Sequence, residues 1–383
     1  MSGMRVLHVI QSLKGSGAET QITTLLPRLR SREVEVGALS VYGSGLSVEE
    51  RERLGCPVID LGRRRRSDYS FPVRLVSEIR RFAPDVVHTH MHVGKYWGRM
   101  AAFAARVPVV VHTEHNPCDA RRSALERTID PLLSRRSSCV VTFLEEQREV
   151  LARVDGVPRE RVVIIPNGIE PWPLPTSVER SAARANLGLR EWEFGIVVVG
   201  RLEFQKHQAL ALRAMAALPA TQLERARLIF IGAGGDEAGL RALARELALN
   251  AFVRFLGRRG DVRELLPGAD LMLMTSRFEG MPLALIEAML SAVPIVTTPW
   301  LGARSMVGEG DCGVVTPAAE PQAVASALTW ALGDAERRSA IARRARERAA
   351  GIYNIHRMVE AHRTLYERLL QAARTSPARV ASI

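Results

Sequence analysis

Short runs rich in valine and isoleucine recur along this chain, each followed by a longer segment with helical periodicity. That alternation narrows the possible folds more than any other feature. In the first half the runs fall at 6–10, 34–42, 85–89, 108–113, 139–144 and 162–165, and in the second at 194–199, 227–231, 252–256, 271–275, 294–297 and 313–315. Continuous apolar runs of this length suit strands buried on both faces, as in a parallel sheet covered by helices. Between them, 18–29, 73–82, 283–290 and 321–332 carry the helical pattern. The chain is therefore read as α/β, with two successive βα arrays. Its 383 residues exceed what one typical core organises, which agrees with two domains. The arrays meet at Asn167-Gly168-Ile169-Glu170-Pro171-Trp172-Pro173-Leu174-Pro175, where three prolines and a glycine continue neither strand nor helix. After the second array, 335–350 and 355–373 read as long helices, and the polar tail from Arg374 reads as frayed.

No apolar run approaches the roughly 20 residues that span a bilayer. The N-terminal Arg5-Val6-Leu7-His8-Val9-Ile10 reads as a first buried strand rather than a signal peptide, so the expected location is the cytoplasm. Four cysteines (Cys56, Cys118, Cys139 and Cys312) lack paired spacing and read as reduced thiols. The net charge of +12 is uneven: residues 51–100 hold 11 Lys/Arg against 5 Asp/Glu, with Arg63-Arg64-Arg65-Arg66 the densest run. The favoured reading of that run is a solvated loop. The sharper one is a contact for an anionic acceptor or for anionic lipid at the inner face of the membrane. A nucleic-acid partner is not expected, because no binding module or aromatic interleaving accompanies the run.

Four features carry chemistry. Lys14-Gly15-Ser16-Gly17-Ala18-Glu19 follows the first strand and opens the first helix, where glycines allow a tight turn and helix N-terminal amides can meet a phosphate or hydroxyl. It lacks the full dinucleotide fingerprint. Val199-Gly200-Arg201-Leu202-Glu203-Phe204-Gln205-Lys206 ends the first strand of the second array. Lys206 is one of only three lysines, beside Lys14 and Lys95, in a chain that otherwise uses arginine. Two cations at a strand's carboxyl end can neutralise a diphosphate leaving group; the bland alternative is a surface pair. Glu279-Gly280-Met281-Pro282-Leu283-Ala284-Leu285-Ile286-Glu287 places one acid before a helix and one on it, with Pro282 as a tolerated first-turn proline. Eight helical residues turn roughly 80° past two full turns, so both acids can border one crevice and accept from sugar hydroxyls. Glu287, set among Leu, Ile, Ala and Met, should be paired or functional, unless either acid serves only the helix dipole. The last feature is the set His88, His90, His92, His112 and His115. No carboxylate stands at a familiar metal spacing, so no metal is expected. His115, in Thr113-Glu114-His115-Asn116, is best placed to line a cleft, and the others read as structural.

Together these residues resemble the retaining glycosyltransferases of family 4, a group with the GT-B fold. The resemblance runs from the first strand to about Val315 and is most specific at Gly200-Arg201-Leu202 with Lys206 and at Ser276-Arg277-Phe278-Glu279-Gly280-Met281-Pro282-Leu283 with Glu287. Pro166-Asn167-Gly168-Ile169 also matches. The resemblance implies two Rossmann-like, doubly wound parallel-sheet domains facing a central cleft. Residues 1–170 would bind acceptor, 171–350 the nucleotide-sugar donor, 351–373 would form a helix crossing back to the first domain, and 374–383 a flexible tail.

By the same resemblance, Arg201 and Lys206 would hold the donor diphosphate, Glu279 the transferred sugar and Glu287 the ribose. Gly17 would face the donor phosphates and His115 the reacting sugar. Gly232-Ala233-Gly234 and the Phe255-Leu256-Gly257 turn would border the base, and Gly280, Met281, Pro282 and Leu283 would complete the donor site. His207 stands where a glycine or another small or polar residue is commoner, and Phe143 where a serine is usual. The implied reaction is front-face transfer, with retention, from a UDP- or GDP-linked sugar to an acceptor hydroxyl. The leaving phosphate would take the acceptor proton while Arg201 and Lys206 stabilise its charge. No cofactor is expected beyond that co-substrate, and no Asp-x-Asp metal motif stands where one would serve. The competing readings are a nucleotide-sugar epimerase on the same fold and a non-catalytic nucleotide-sugar-binding partner protein.

Overall fold

Every strand ladder is parallel, as buried Val/Ile runs require, and the strands form two sheets. The computed structural model describes residues 3–15, 17–63, 65, 67–116 and 124–375. They divide into two compact units, Met1–Gly168 with Ile355–Ile383, and Ile169–Asn354. The first holds β1 (Met4–Ile10), β2 (Val34–Ser40), β3 (Val58–Asp60), β4 (Val86–His90), β5 (Val109–Thr113), β6 (Cys139–Thr142) and β7 (Val162–Ile164), in the order β3-β2-β1-β4-β5-β6-β7. The second holds β8 (Phe194–Val199), β9 (Ala226–Ile231), β10 (Val253–Phe255), β11 (Leu271–Met274), β12 (Ile295–Thr297) and β13 (Val314–Val315), in the order β10-β9-β8-β11-β12-β13. Each order reverses once, between β1 and β4 and between β8 and β11. The carboxyl ends of strands at such a reversal open a ligand crevice.

Alternation along the strands covers both faces of the first sheet. Val6, Ile10, Val86, Val109, Val111 and Val141 pack under the helices Gly17–Leu29 and Ile355–Thr375. Leu7, Val9, Val87 and Val110 pack against Phe71, Leu75 and Ile79 of Phe71–Phe82. In the second unit Ile196, Val198, Leu228, Phe230 and Leu273 meet Leu210 and Met215 of Gln208–Ala216 and Val324 and Leu328 of Pro321–Gly333. Burying each of these side chains contributes roughly 1.5–3 kcal/mol.

The expected strands all appear; most are trimmed by one or two residues, while β1 and β9 begin earlier than expected, β4 is shifted by one residue and β8 keeps its bounds. One was missed: β3 is three residues long, too short for a periodic signal, and exists because it pairs with β2. Pro282 is corrected as well. It is not in the first turn but caps the helix Leu283–Leu290 from outside, at φ −71° and ψ 122°. The proline-rich junction has no strand or helix, but it is anchored: Ile169 donates its N–H to Tyr353 O at 2.8 Å, and the Gln21 side-chain amide donates to Gly168 O at 3.1 Å. Cys56, Cys139 and Cys312 are free thiols; Cys118 and the tail 376–383 lie outside the described residues.

Candidate active site

In the second unit the turns after β8, β9, β10 and β11 interlock. Leu202 N–H donates to Ala233 O (3.1 Å), Asp236 N–H to Leu202 O (3.0 Å) and Gly232 N–H to Gly257 O (2.8 Å). A Cβ on Gly232 would overlap the Gly200 carbonyl and one on Gly234 the Leu202 carbonyl, so only glycine permits this approach. The Gln205–Lys206 segment is then clamped to the loop after β11. Arg277 N–H donates to Gln205 O (2.8 Å), Thr275 Oγ1 to Lys206 O (3.0 Å) and Gln205 Nε2 to Phe278 O (3.0 Å).

That clamp brings the two most specific motifs together. Lys206 Nζ lies 2.6 Å from Glu279 Oε1, whose carboxylate also accepts from Ser276 Oγ at 2.5 Å and Gln205 Nε2 at 3.3 Å. Glu279 is only 5% exposed, and the cation and these two donors offset the cost of burying its charge. Ser276 and Gln205 are site residues that sequence reasoning passed over, although both stand inside the motifs it used. Gly280 and Met281 are buried beside Glu279, and Leu283 opens the helix behind it.

Arg201 is not buried with Lys206. Its guanidinium is half exposed and pairs with Glu203 at 2.9 Å. Glu287 is half-buried with no side-chain ion pair or hydrogen bond among the described residues, and desolvation raises its carboxyl pKa. Of the two alternatives, paired or functional, pairing is not seen among the described residues, and its helix face is apolar.

His207 occupies the left-handed region, at φ 49° and ψ 42°, just before the helix Gln208–Ala216. This conformation explains why glycine suits the position: a Cβ there costs about 1 kcal/mol. Its Nδ1 is also buried without a partner. His207→Gly is therefore expected to raise stability by roughly 0.5–1 kcal/mol in urea unfolding. A drop of that size would mean the imidazole contributes packing that outweighs its backbone.

In the first unit, Gly17 opens the helix after β1, while Ser16 lies outside the described residues. Ser12 Oγ donates to the buried Glu19 at 2.7 Å, tying the β1 turn to that helix. His115 follows β5 and packs against Phe143, with ring centres 5.6 Å apart. Both line a small cavity of about 20 Å³, room for a single water, with His90, Thr113, His362 and Asn167. His92 is exposed and 3.8 Å from Glu126. Arg63 lies 4.3 Å over the Phe71 ring, so this member of the arginine run is engaged in packing; Arg64 and Arg66 fall outside the described residues.

Beneath the Glu114-His115 turn sits a buried charge cluster that sequence reasoning missed. The π-helical turn Gly94–Gly98 turns Lys95 inward, where Nζ meets Glu114 (2.8 Å), Asp130 (3.0 Å) and Asp155 (3.7 Å). Burial pushes the Glu114 carboxyl up, but Lys95 and His112, whose Nε2 lies 3.9 Å away, outweigh it and hold the pKa well below the usual range. Lys95→Met would strand three acids around one apolar chain and is expected to cost about 3–5 kcal/mol. Chemical denaturation at pH 7.5 checks this; a loss below 1 kcal/mol would mean solvent already screens the cluster.

His8, His88 and His90 bring one ring nitrogen each within 4.8 Å of one another, a spacing a metal ion can use. Their nitrogens are largely committed. His88 is bonded to Tyr366 Oη (2.6 Å) and Thr113 Oγ1 (2.7 Å), and His8 Nδ1 to His90 Nε2 (2.9 Å).

Two Rossmann-like parallel-sheet units define the GT-B class. Residues 15–172 match the model of Glycosyltransferase Family 4, and 179–348 that of Glycosyl transferases group 1. The chain belongs to this glycosyltransferase family. It is 28% identical over 263 residues to an uncharacterized glycosyltransferase of Methanocaldococcus jannaschii (65% of this chain, 66% of that protein). It is 29% identical over 291 residues to a D-inositol 3-phosphate glycosyltransferase of Nocardia farcinica (71% and 64%). The matches thus span just under two thirds of these relatives. Anabaena HepE, solved with UDP and glucose, shares the fold at TM-score 0.84 and 22% identity, covering 95% of this chain and all of that one. WaaG, a glycosyltransferase involved in lipopolysaccharide biosynthesis, does so at 0.74 and 20%, over 96% and 99%. No helix among the described residues is long and apolar enough to cross a membrane.

Proposed function

We propose that this chain transfers a sugar from a nucleoside-diphosphate sugar to an acceptor hydroxyl with retention at the anomeric carbon. The observation that carries the reading is the Lys206–Glu279 pair, held by Ser276 and Gln205 where the β8 and β11 turns are clamped together. Lys206 and the exposed Arg201 take the diphosphate, and Glu279 accepts from the transferred sugar. The approach of Gly232 and Gly234 to the Gly200–Leu202 backbone leaves a surface without side chains for the nucleotide. Glu287, with no ion pair among the described residues, accepts from the ribose. Gly17 and His115 are the first unit's candidates for contact with substrate, and that unit binds the acceptor. HepE with UDP and with UDP-glucose supports a UDP-linked donor.

The leaving phosphate takes the acceptor proton, since Glu279 is already bonded three ways and His115, its pKa lowered by burial to about 4, is a weak base. Arg201 and Lys206 stabilise the charge that develops on the phosphate, the kind of preorganised cation contact that lowers a barrier by several kcal/mol. Two cations and helix N-terminal amides suffice to neutralise the diphosphate, so activity should survive EDTA. NMR of the first-formed product tests the stereochemistry: an α-linked donor should give an α-linked product. A β-linked product would overturn front-face transfer, and an epimerised nucleotide sugar without free nucleotide would identify an epimerase.

A further inference from the structure

We propose that His8 and His90 are positioning residues that fix the tautomer of His115, presenting its Nδ1 as a hydrogen-bond donor. The inference deepens the functional reading above, because it rests on His115 facing the sugar. Parallel pairing sets His8 beside His88, and strand alternation puts His8, His88 and His90 on one face. Three imidazoles then run in file. His8 Nδ1 is 2.9 Å from His90 Nε2, and His90 Nδ1 is 3.4 Å from His115 Nε2, a longer link at the open end. His88 stands outside the file, both nitrogens bonded elsewhere, and stacks on His90 with ring centres 4.3 Å apart, which steadies the middle ring.

A neutral imidazole carries one N–H, so the file runs in one of two directions. Run outward, His8 Nδ1–H donates to His90, His90 Nδ1–H donates to His115 Nε2, and His115 keeps its proton on Nδ1. Run inward, His115 Nδ1 is bare and His8 must carry its proton on Nε2. That atom decides the matter, for His8 Nε2 is buried without a partner. A buried N–H with nothing to donate to is the rarer and costlier orphan, so the outward direction wins. His115 Nδ1 has no hydrogen-bond partner among the described residues and offers its N–H to a ligand oxygen. All three rings remain neutral near pH 7, with burial holding His8 near 3 and His115 near 4.

Two-bond 1H–15N correlation spectra of the full chain, labelled at histidine and recorded without substrate, read this directly. His115 is assigned by the signal lost in His115→Gln. The expected result is a protonated Nδ1 and a bare Nε2. In His8→Met the thioether at that position can only accept, so His90 should turn an N–H toward it and His115 should shift toward the other tautomer, with kcat/KM falling about tenfold. His8→Asn, whose amide can donate to His90, should keep the wild-type tautomer and rate. A wild-type His115 protonated on Nε2 overturns the proposal, as does an unchanged tautomer in His8→Met. If His8→Met fails to fold, the wild-type spectrum still decides. Because the spectrum needs no turnover, absence of transferase activity would sink the functional reading and leave this one standing.

Discussion

Replacing Arg201 by alanine is expected to lower turnover at least about a hundredfold while barely moving the melting temperature. The guanidinium side chain is 52% exposed and, among the described residues, pairs only with Glu203, itself 40% exposed. Such a surface pair contributes less than about 1 kcal/mol to folding. A preorganised cation at a leaving oxyanion contributes several kcal/mol to the transition state. The separation of the two readouts makes Arg201 the cleaner probe. Lys206→Ala should cost as much turnover, but it also leaves the buried Glu279 with only Ser276 and Gln205, so stability should fall too. Steady-state rates and thermal melts on both variants check this. Near-normal turnover in a folded double variant would remove the diphosphate from these side chains.

The second large effect is on folding. His8, His88, His90, His112, His115 and His362 all have depressed pKa values, with burial the leading cause: near 3 for His8, near 4 for His112, His115 and His362, and well below the ordinary 6.5 for His88 and His90. The folded protein keeps them neutral, whereas the unfolded chain binds protons once pH falls below 6.5. Their contribution to stability is therefore complete above pH 6.5 and is lost as pH falls from there through about 4. Each histidine loses about 1 kcal/mol by one pH unit below 6.5. Coupling makes the sum less than additive, but several kcal/mol are at stake against a typical total of about 5–15. Urea unfolding at pH 7.5 and pH 5.5 should show that loss, and His112→Asn should flatten the slope by about one proton. Equal stability at the two pH values would mean that these rings reach water in the folded state.

The residues that declared themselves in the sequence act through local chemistry. Gly200, Lys206 and Glu279 sit at strand ends and helix starts, where spacing alone restricts what they can do. The run lengths likewise revealed nearly every strand. What stayed hidden depends on contacts far apart in the chain. Lys95 and Asp130 meet only after a π-helical turn rotates the lysine inward, and no periodicity encodes that turn. His88 and His90 share a strand face by simple alternation, but His8 joins them only through the β1–β4 pairing. The left-handed backbone at His207 was visible only as an unusual residue in a familiar motif. Glu287 went the other way: sequence context called for a partner or a function, and no ion-pair partner stands among the described residues.

The central claim is that the β8 and β11 turns bind and activate a nucleoside-diphosphate sugar. Its most direct test is release of free nucleoside diphosphate from a panel of UDP- and GDP-linked sugars, in EDTA, by wild type and Lys206→Ala in parallel. The expected result is release from at least one donor by wild type, unaffected by EDTA and reduced about a hundredfold in the variant. Release from no donor, or release that proceeds equally without the Lys206 ammonium, would contradict it.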